Sequence, residues 1–104
     1  MTDISATELH VLLTGDDPPL VLDVREEWET QICAIDGSLQ IPLRSLPARL
    51  HDIPTGRVVA VVCHHGVRSA MAAGFLEQEG VEAVNVEGGI DAWAREVERG
   101  MARY

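Results

Sequence analysis

Six consecutive residues, Cys63-His64-His65-Gly66-Val67-Arg68, carry the densest chemistry in this chain. They follow a β-branched apolar run, RVVAVVC (Arg57 to Cys63). Ser69 then opens a small-residue segment, SAMAAGFLEQEG, that reads as a helix ended by Gly80. A thiol between a strand end and a helix N-terminus faces unpaired backbone N–H groups and the positive end of the helix dipole. Arg68 adds a positive charge, and His64 and His65 can donate hydrogen bonds. Each of these favours thiolate over thiol. The same donors would hold a sulfane sulfur attached to Cys63. Gly66 permits the tight curl that turns backbone amides inward. Cys63 is therefore the candidate nucleophile and Arg68 its charge-stabilising partner. His64, His65, Gly66, Val67 and Ser69 form the rest of a substrate-binding loop. The plainer alternative is a small buried hydrophobe at a strand end. Two histidines, a glycine and an arginine are costly to place there without a purpose, which favours the nucleophile.

The histidine pair beside a cysteine also raises metal binding. Adjacent ligands on one short loop rarely complete a tetrahedral site, and the sequence offers no distant cluster. No metal and no cofactor are expected.

The elements that must position this loop alternate between helix and strand. Ser5 and Glu8 have capping-box spacing ahead of Leu9, Leu12 and Leu13, predicting a helix from about Ala6 to Gly15. LVLDV (Leu20 to Val24) reads as a buried strand, REEWETQI as a short helix, and Leu39 to Ile41 as a brief strand. Ser45 is placed to cap a helix with Pro47 in its first turn, running to about His51. Arg57 to Cys63 is the strongest strand and belongs at the sheet centre. EAVNVEGG gives a further strand and a Gly88-Gly89 turn. IDAWAREVER gives a last helix, with Ile90, Trp93 and Val97 at core spacing, and Gly100 to Tyr104 is a tail. The fold class is α/β: a mostly parallel central sheet of about five strands, helices on both faces, in one domain over residues 1–104. Ligands of such sheets bind at the carboxyl ends of strands, where Cys63 falls.

Composition narrows the partners. The 104 residues are 46% hydrophobic with four Trp, Tyr and Phe residues in all, so the core is built from Val, Ile, Leu and Ala. A formal net charge of -9 argues against nucleic acid and anionic membranes. It does not forbid a local anion site, since charges are screened over about 8 Å. Two cysteines, no apolar run near the ~20 residues of a membrane helix, and no basic-apolar leader in MTDISATELH point to a cytoplasmic protein with reduced thiols.

Four segments, in order, resemble the rhodanese homology domain along nearly the whole chain. CHHGVRS and its small-residue helix look like that family's active loop. VLDVREEWE resembles its early Asp-Val-Arg strand motif, AIDGSLQIPL a middle segment, and NVEGGIDAW its closing segment. The resemblance implies a sulfurtransferase moving a sulfane sulfur from a small anionic donor such as thiosulfate to cyanide or a thiol, through a Cys63 persulfide. It also leaves open a sulfur-relay module that docks a protein partner. Asp23 and Arg25, matching Asp-Val-Arg, are expected to form an ion-pair network beneath the loop rather than to touch substrate. Related phosphatases have five residues between cysteine and arginine. Four separate Cys63 from Arg68 here, a cradle sized for sulfur, which makes phosphatase activity the lesser reading. The family's usual Gly-His is replaced by Cys33-Ala34. Cys33 is then packed and inert, a recipient of sulfur from Cys63, or its disulfide partner. Trp28 is core or pocket rim, and Arg44 is read as a solvated charge.

Overall fold

The computed structural model describes residues 2–104. Five strands form one wholly parallel sheet in the order β1-β5-β4-β2-β3. They are β1 (Thr2–Ile4), β2 (Leu20–Asp23), β3 (Leu39–Gln40), β4 (Val59–Val62) and β5 (Ala83–Val86). The helices are α1 (Ala6–Leu13), α2 (Glu27–Thr30), α3 (Val67–Gln78) and α4 (Gly89–Glu96). The predicted centrality of RVVAVVC holds: all four β4 residues are buried, as a strand covered on both faces requires.

Side-chain alternation along these strands divides the core in two. Leu22, Val59 and Val61 pack with Ala72, Ala73 and Leu76 of α3 and with Ile41, Leu46 and Ile53. Val21, Ala60, Val62 and Val86 pack with Ala6 and Leu9 of α1 and Ile90 and Trp93 of α4. The small residues of α3 let that helix lie close to the sheet. The Ser5–Glu8 capping box forms as read, each residue bonding the other's backbone N–H at 3.0 Å.

Three features depart from the sequence reading. Strand β1 was not anticipated. Its three residues are too few to show a period of two, and pairing with β5 creates it. Ser45 caps nothing: it ends a 3-10 turn, Leu43–Ser45, which is followed by a second, Pro47–Asp52. The backbone at Arg49 is non-helical, which breaks the segment where one α-helix was expected. The tail does not stand free, because Tyr104 returns to the loop that follows β4.

Candidate active site

Cys63 immediately follows β4, at the carboxyl end of the sheet's central strand, and is 1% exposed. The chain then turns through His64 and His65 to Gly66, the N-cap of α3, at φ 108°. This left-handed conformation is open to glycine and strained for other residues. The Gly66 N–H points at the Cys63 sulfur, 3.0 Å away. The Ser69 hydroxyl lies 3.3 Å from the same sulfur. Cys63, Gly66 and Ser69 are thus brought together, while Val67 points outward and is largely exposed.

A second turn supports the loop from outside. The N–H groups of Ile90 and Asp91, at the start of α4, bond the carbonyls of Cys63 and His64 at 2.8 and 3.1 Å. Gly88 and Gly89 both have positive φ. A β-carbon on Gly89 would collide with the Cys63 and His64 carbonyl oxygens. The paired glycines of NVEGGIDAW therefore let α4 approach the loop closely.

Arg68 is engaged by a residue the sequence reading did not single out. Glu29, on α2 and 3% exposed, accepts from Arg68 Nη1 at 2.6 Å and Nη2 at 2.7 Å. It also accepts from the Glu26 N–H and the Tyr104 hydroxyl, each at 2.9 Å. Arg68 foremost, outweighing burial, holds the Glu29 carboxyl down at about 2. The same pair raises Arg68 above its ordinary range. Arg68, read from the sequence as a positive charge beside the thiol, is one half of an ion pair at the loop. The signal for Glu29 was its separation from Asp-Val-Arg, an acid four residues after Arg25.

Asp23 and Arg25 form a second pair, with Arg25 Nη2 2.7 Å from Asp23 and its side chain fully buried. Arg25 also donates to the Cys33 carbonyl at 2.7 Å, the Glu29 carbonyl at 3.3 Å and the Tyr104 hydroxyl at 3.0 Å. Burial opposes its charge, but the bonds it donates to Asp23 and Tyr104 raise its pKa. Tyr104 joins the two pairs and lies flat on His64, centroids 3.9 Å apart and planes 6° apart. Burial, the leading cause, pushes its phenol up to about 12. His65 stacks on His64 at 4.0 Å. Burial, reinforced by His65, lowers the pKa of His64 from its ordinary value. Trp28 is 61% exposed and meets Tyr104 edge-on at 5.9 Å, so it lies on the rim and not in the core. Both cysteines are free thiols, Cys33 half-buried with Arg25 Nη1 3.8 Å from its sulfur. Arg44 is solvated, with one partner, Glu26, at 3.0 Å.

The fold supplies one distant acid that the metal argument lacked: Asp91 joins His64 and His65 in a group with ligand atoms within 4.8 Å. Asp91 is already bound by Arg103 at 2.9 Å, and Arg103 leads the lowering of its pKa. With its carboxylate neutralised by an arginine, this group is assigned no metal. Among the described residues, no helix is long and apolar enough to cross a membrane.

Comparison with known proteins places this geometry. The family profile described as "Rhodanese-like domain" matches residues 5–96. A protein named "Sulfurtransferase" from Allochromatium vinosum is 35% identical over 91% of this chain and 90% of its own length. The "Probable adenylyltransferase/sulfurtransferase MoeZ" of Mycobacterium tuberculosis is 35% identical over 97% of this chain, which spans 26% of that protein. Among solved structures, a rhodanese-like domain protein from Staphylococcus aureus superposes with a TM-score of 0.88 and 36% identity, covering 100% of this chain and 99% of the other.

Proposed function

The chain belongs to the rhodanese-like domain family, and from that membership we propose that it is a sulfurtransferase carrying sulfur as a persulfide on Cys63. The observation that carries the proposal is the Cys63 sulfur itself, buried at the end of the central strand with the Gly66 N–H directed at it. A donated backbone N–H stabilises negative sulfur and costs no reorganisation during reaction.

The reaction is a double displacement. The Cys63 thiolate attacks the outer sulfur of thiosulfate. The S–S bond of the donor breaks and sulfite leaves with the electron pair. A thiol or cyanide then attacks the terminal sulfur of the persulfide, and the Cys63 thiolate leaves. Arg68 attracts the anionic donor and offsets charge on sulfur, tempered by its pairing with Glu29. His64, His65, Val67 and Ser69 shape the loop, and Asp23 and Arg25 hold the strand end beneath it. No cofactor takes part. The protein acts in the cytoplasm on small anionic donors, with no nucleic acid or membrane partner.

A relay to a protein acceptor is the second reading. It is favoured by MoeZ, whose name joins an adenylyltransferase to a sulfurtransferase and of which a stretch matching this chain forms one part. Incubation with thiosulfate tests the common step. It should add about 32 Da, one sulfur atom, to the Cys63 peptide, and dithiothreitol should remove it. Cys63-dependent cleavage of aryl phosphates with no persulfide would reject sulfur transfer in favour of phosphatase chemistry.

A further inference from the structure

The segment that follows α4 folds back as a strap. The Glu98 N–H bonds the Trp93 carbonyl and the Met101 N–H bonds the Glu98 carbonyl, each at 2.9 Å, which reverses the chain. Met101 and Tyr104 then pack against the core shared by α1 and α4. Arg103 ties the strap to Asp91 of α4 at 2.9 Å. The strap ends with Tyr104 against the loop after β4. The family profile matches residues 5–96, so Tyr104 and its contacts lie outside the matched pattern.

Tyr104 is held there from three sides. Its hydroxyl donates to Glu29 Oε1 at 2.9 Å and accepts from Arg25 Nη1 at 3.0 Å. Its ring lies on His64, and Trp28 of α2 meets its edge. His65 stacks on His64 as well, so the His64 ring is clamped between Tyr104 and His65. His64 follows Cys63 directly, and a clamped ring there resists widening of the loop. Tyr104 and Cys63 both stand close enough to the Arg68 guanidinium to help raise its pKa. Cys63 itself is 1% exposed. A small molecule reaches such a sulfur through slight movements of the loop, whereas a bulky one needs a neighbouring side chain to leave. Tyr104 stands on a segment with no helix or strand to hold it, so its departure costs little more than its own contacts.

We propose that Tyr104 is a specificity-determining residue, whose ring closes the loop on the α2 side and limits direct reaction of the Cys63 sulfur to small molecules. For sulfur transfer, which rests on the proposed function, the acceptor is then cyanide or a small thiol. A protein thiol reaches the persulfide only after displacing Tyr104. Restricted access to Cys63 does not depend on that reading.

Two maleimides that share one reactive ring and differ in bulk, N-ethylmaleimide and fluorescein maleimide, test the gate. Their rates of addition are read on the Cys63 peptide by mass spectrometry, in a Cys33→Ser background. The ratio of the two rates cancels the reactivity of the sulfur and leaves access. In Tyr104→Ala the bulky reagent should gain about tenfold or more on the small one, the cost of parting the hydroxyl from its partners and the ring from its stack. Tyr104→Phe keeps the ring and should show a smaller gain. Circular dichroism checks the fold, and Tyr104→Leu, which keeps an apolar anchor, takes the place of Tyr104→Ala if that variant unfolds. An unchanged ratio in the variant without the ring would overturn the inference. So would equal ratios in Tyr104→Phe and Tyr104→Ala, since the bonds of the hydroxyl to Arg25 and Glu29 would then govern access. Thiosulfate loading is measured in parallel on the wild type. Loading with an unchanged maleimide ratio would reject the gate alone. No loading, with the ratio shifted as expected, would reject the proposed function and leave the gate standing.

Discussion

Glu29 binds both Nη atoms of Arg68, at 2.6 and 2.7 Å, from a position 3% exposed to solvent. This fork joins α2 to the first turn of α3 and fixes the Arg68 guanidinium beside the loop that follows β4. Removing one partner strands the other, so the two residues are best varied together.

Arg68→Ala should lower kcat/KM for thiosulfate about ten- to hundredfold, the range for losing a charge-assisted donor. It should also cost about 3–5 kcal/mol of stability, because Glu29 is left charged and buried. Adding Glu29→Gln should restore much of the stability and none of the activity. Urea titrations and steady-state rates on the single and double variants separate the two effects. Equal stability losses in the single and double variants would contradict the pairing.

Acid should unfold the protein partly through the same residue. The Glu29 carboxyl sits at about 2 in the fold, against 4.5 ordinarily. A depressed pKa contributes stability above the ordinary value, and that contribution is lost as pH falls from about 4.5 through about 2. The contribution is on the order of 3 kcal/mol. Glu29→Gln should flatten the stability profile over that window, measured by urea titration at several pH values. An unchanged acid limb would assign acid sensitivity elsewhere.

Cys63→Ser should abolish the thiosulfate-dependent mass gain and leave the circular dichroism spectrum unchanged, because the hydroxyl is a weak nucleophile toward sulfur. Cys33→Ser should keep sulfur loading. The reverse pattern would move the site to Cys33.

Gly89→Ala should disrupt the loop although it removes no functional group. The backbone there has φ 57°, and the added methyl meets the Cys63 and His64 carbonyl oxygens. The left-handed conformation alone costs about 1–2 kcal/mol, and the collision adds to it. A melting temperature within a degree of wild type would show that the α4 turn gives way freely.

Tyr104→Phe keeps the ring on His64 but removes bonds to Arg25 and Glu29. The loss should be about 1–3 kcal/mol, that of unmet buried partners. Tyr104→Ala should cost more, since the stack goes as well. Equal effects would show that the hydroxyl contributes nothing.

The loop and its place were legible in the residues themselves. RVVAVVC can hardly be anything but a buried strand, and a helix that follows it sets Cys63 at a strand end before any coordinate is known. Helix α1 carries its own capping box in Ser5 and Glu8, and the turns ahead of α3 and α4 carry their glycines, whereas Ser45 signalled a cap that the 3-10 turns there do not use. What only the tertiary structure decided is which distant groups meet at that strand end. Glu29 lies 39 positions from Arg68 and Tyr104 lies 75 from Glu29. No local preference records such separations, because an ion pair or a stacked ring is neutral as to where in the chain its partner lies. Strand β1 shows the same limit. Thr2–Ile4 is too short to signal a strand, and it becomes one by pairing with β5. That pairing sets Asp3 opposite Asn85, which donates to Asp3 and accepts from the Ser69 hydroxyl beside Cys63. A sequence states which groups can react, and sheet order and register determine which of them touch.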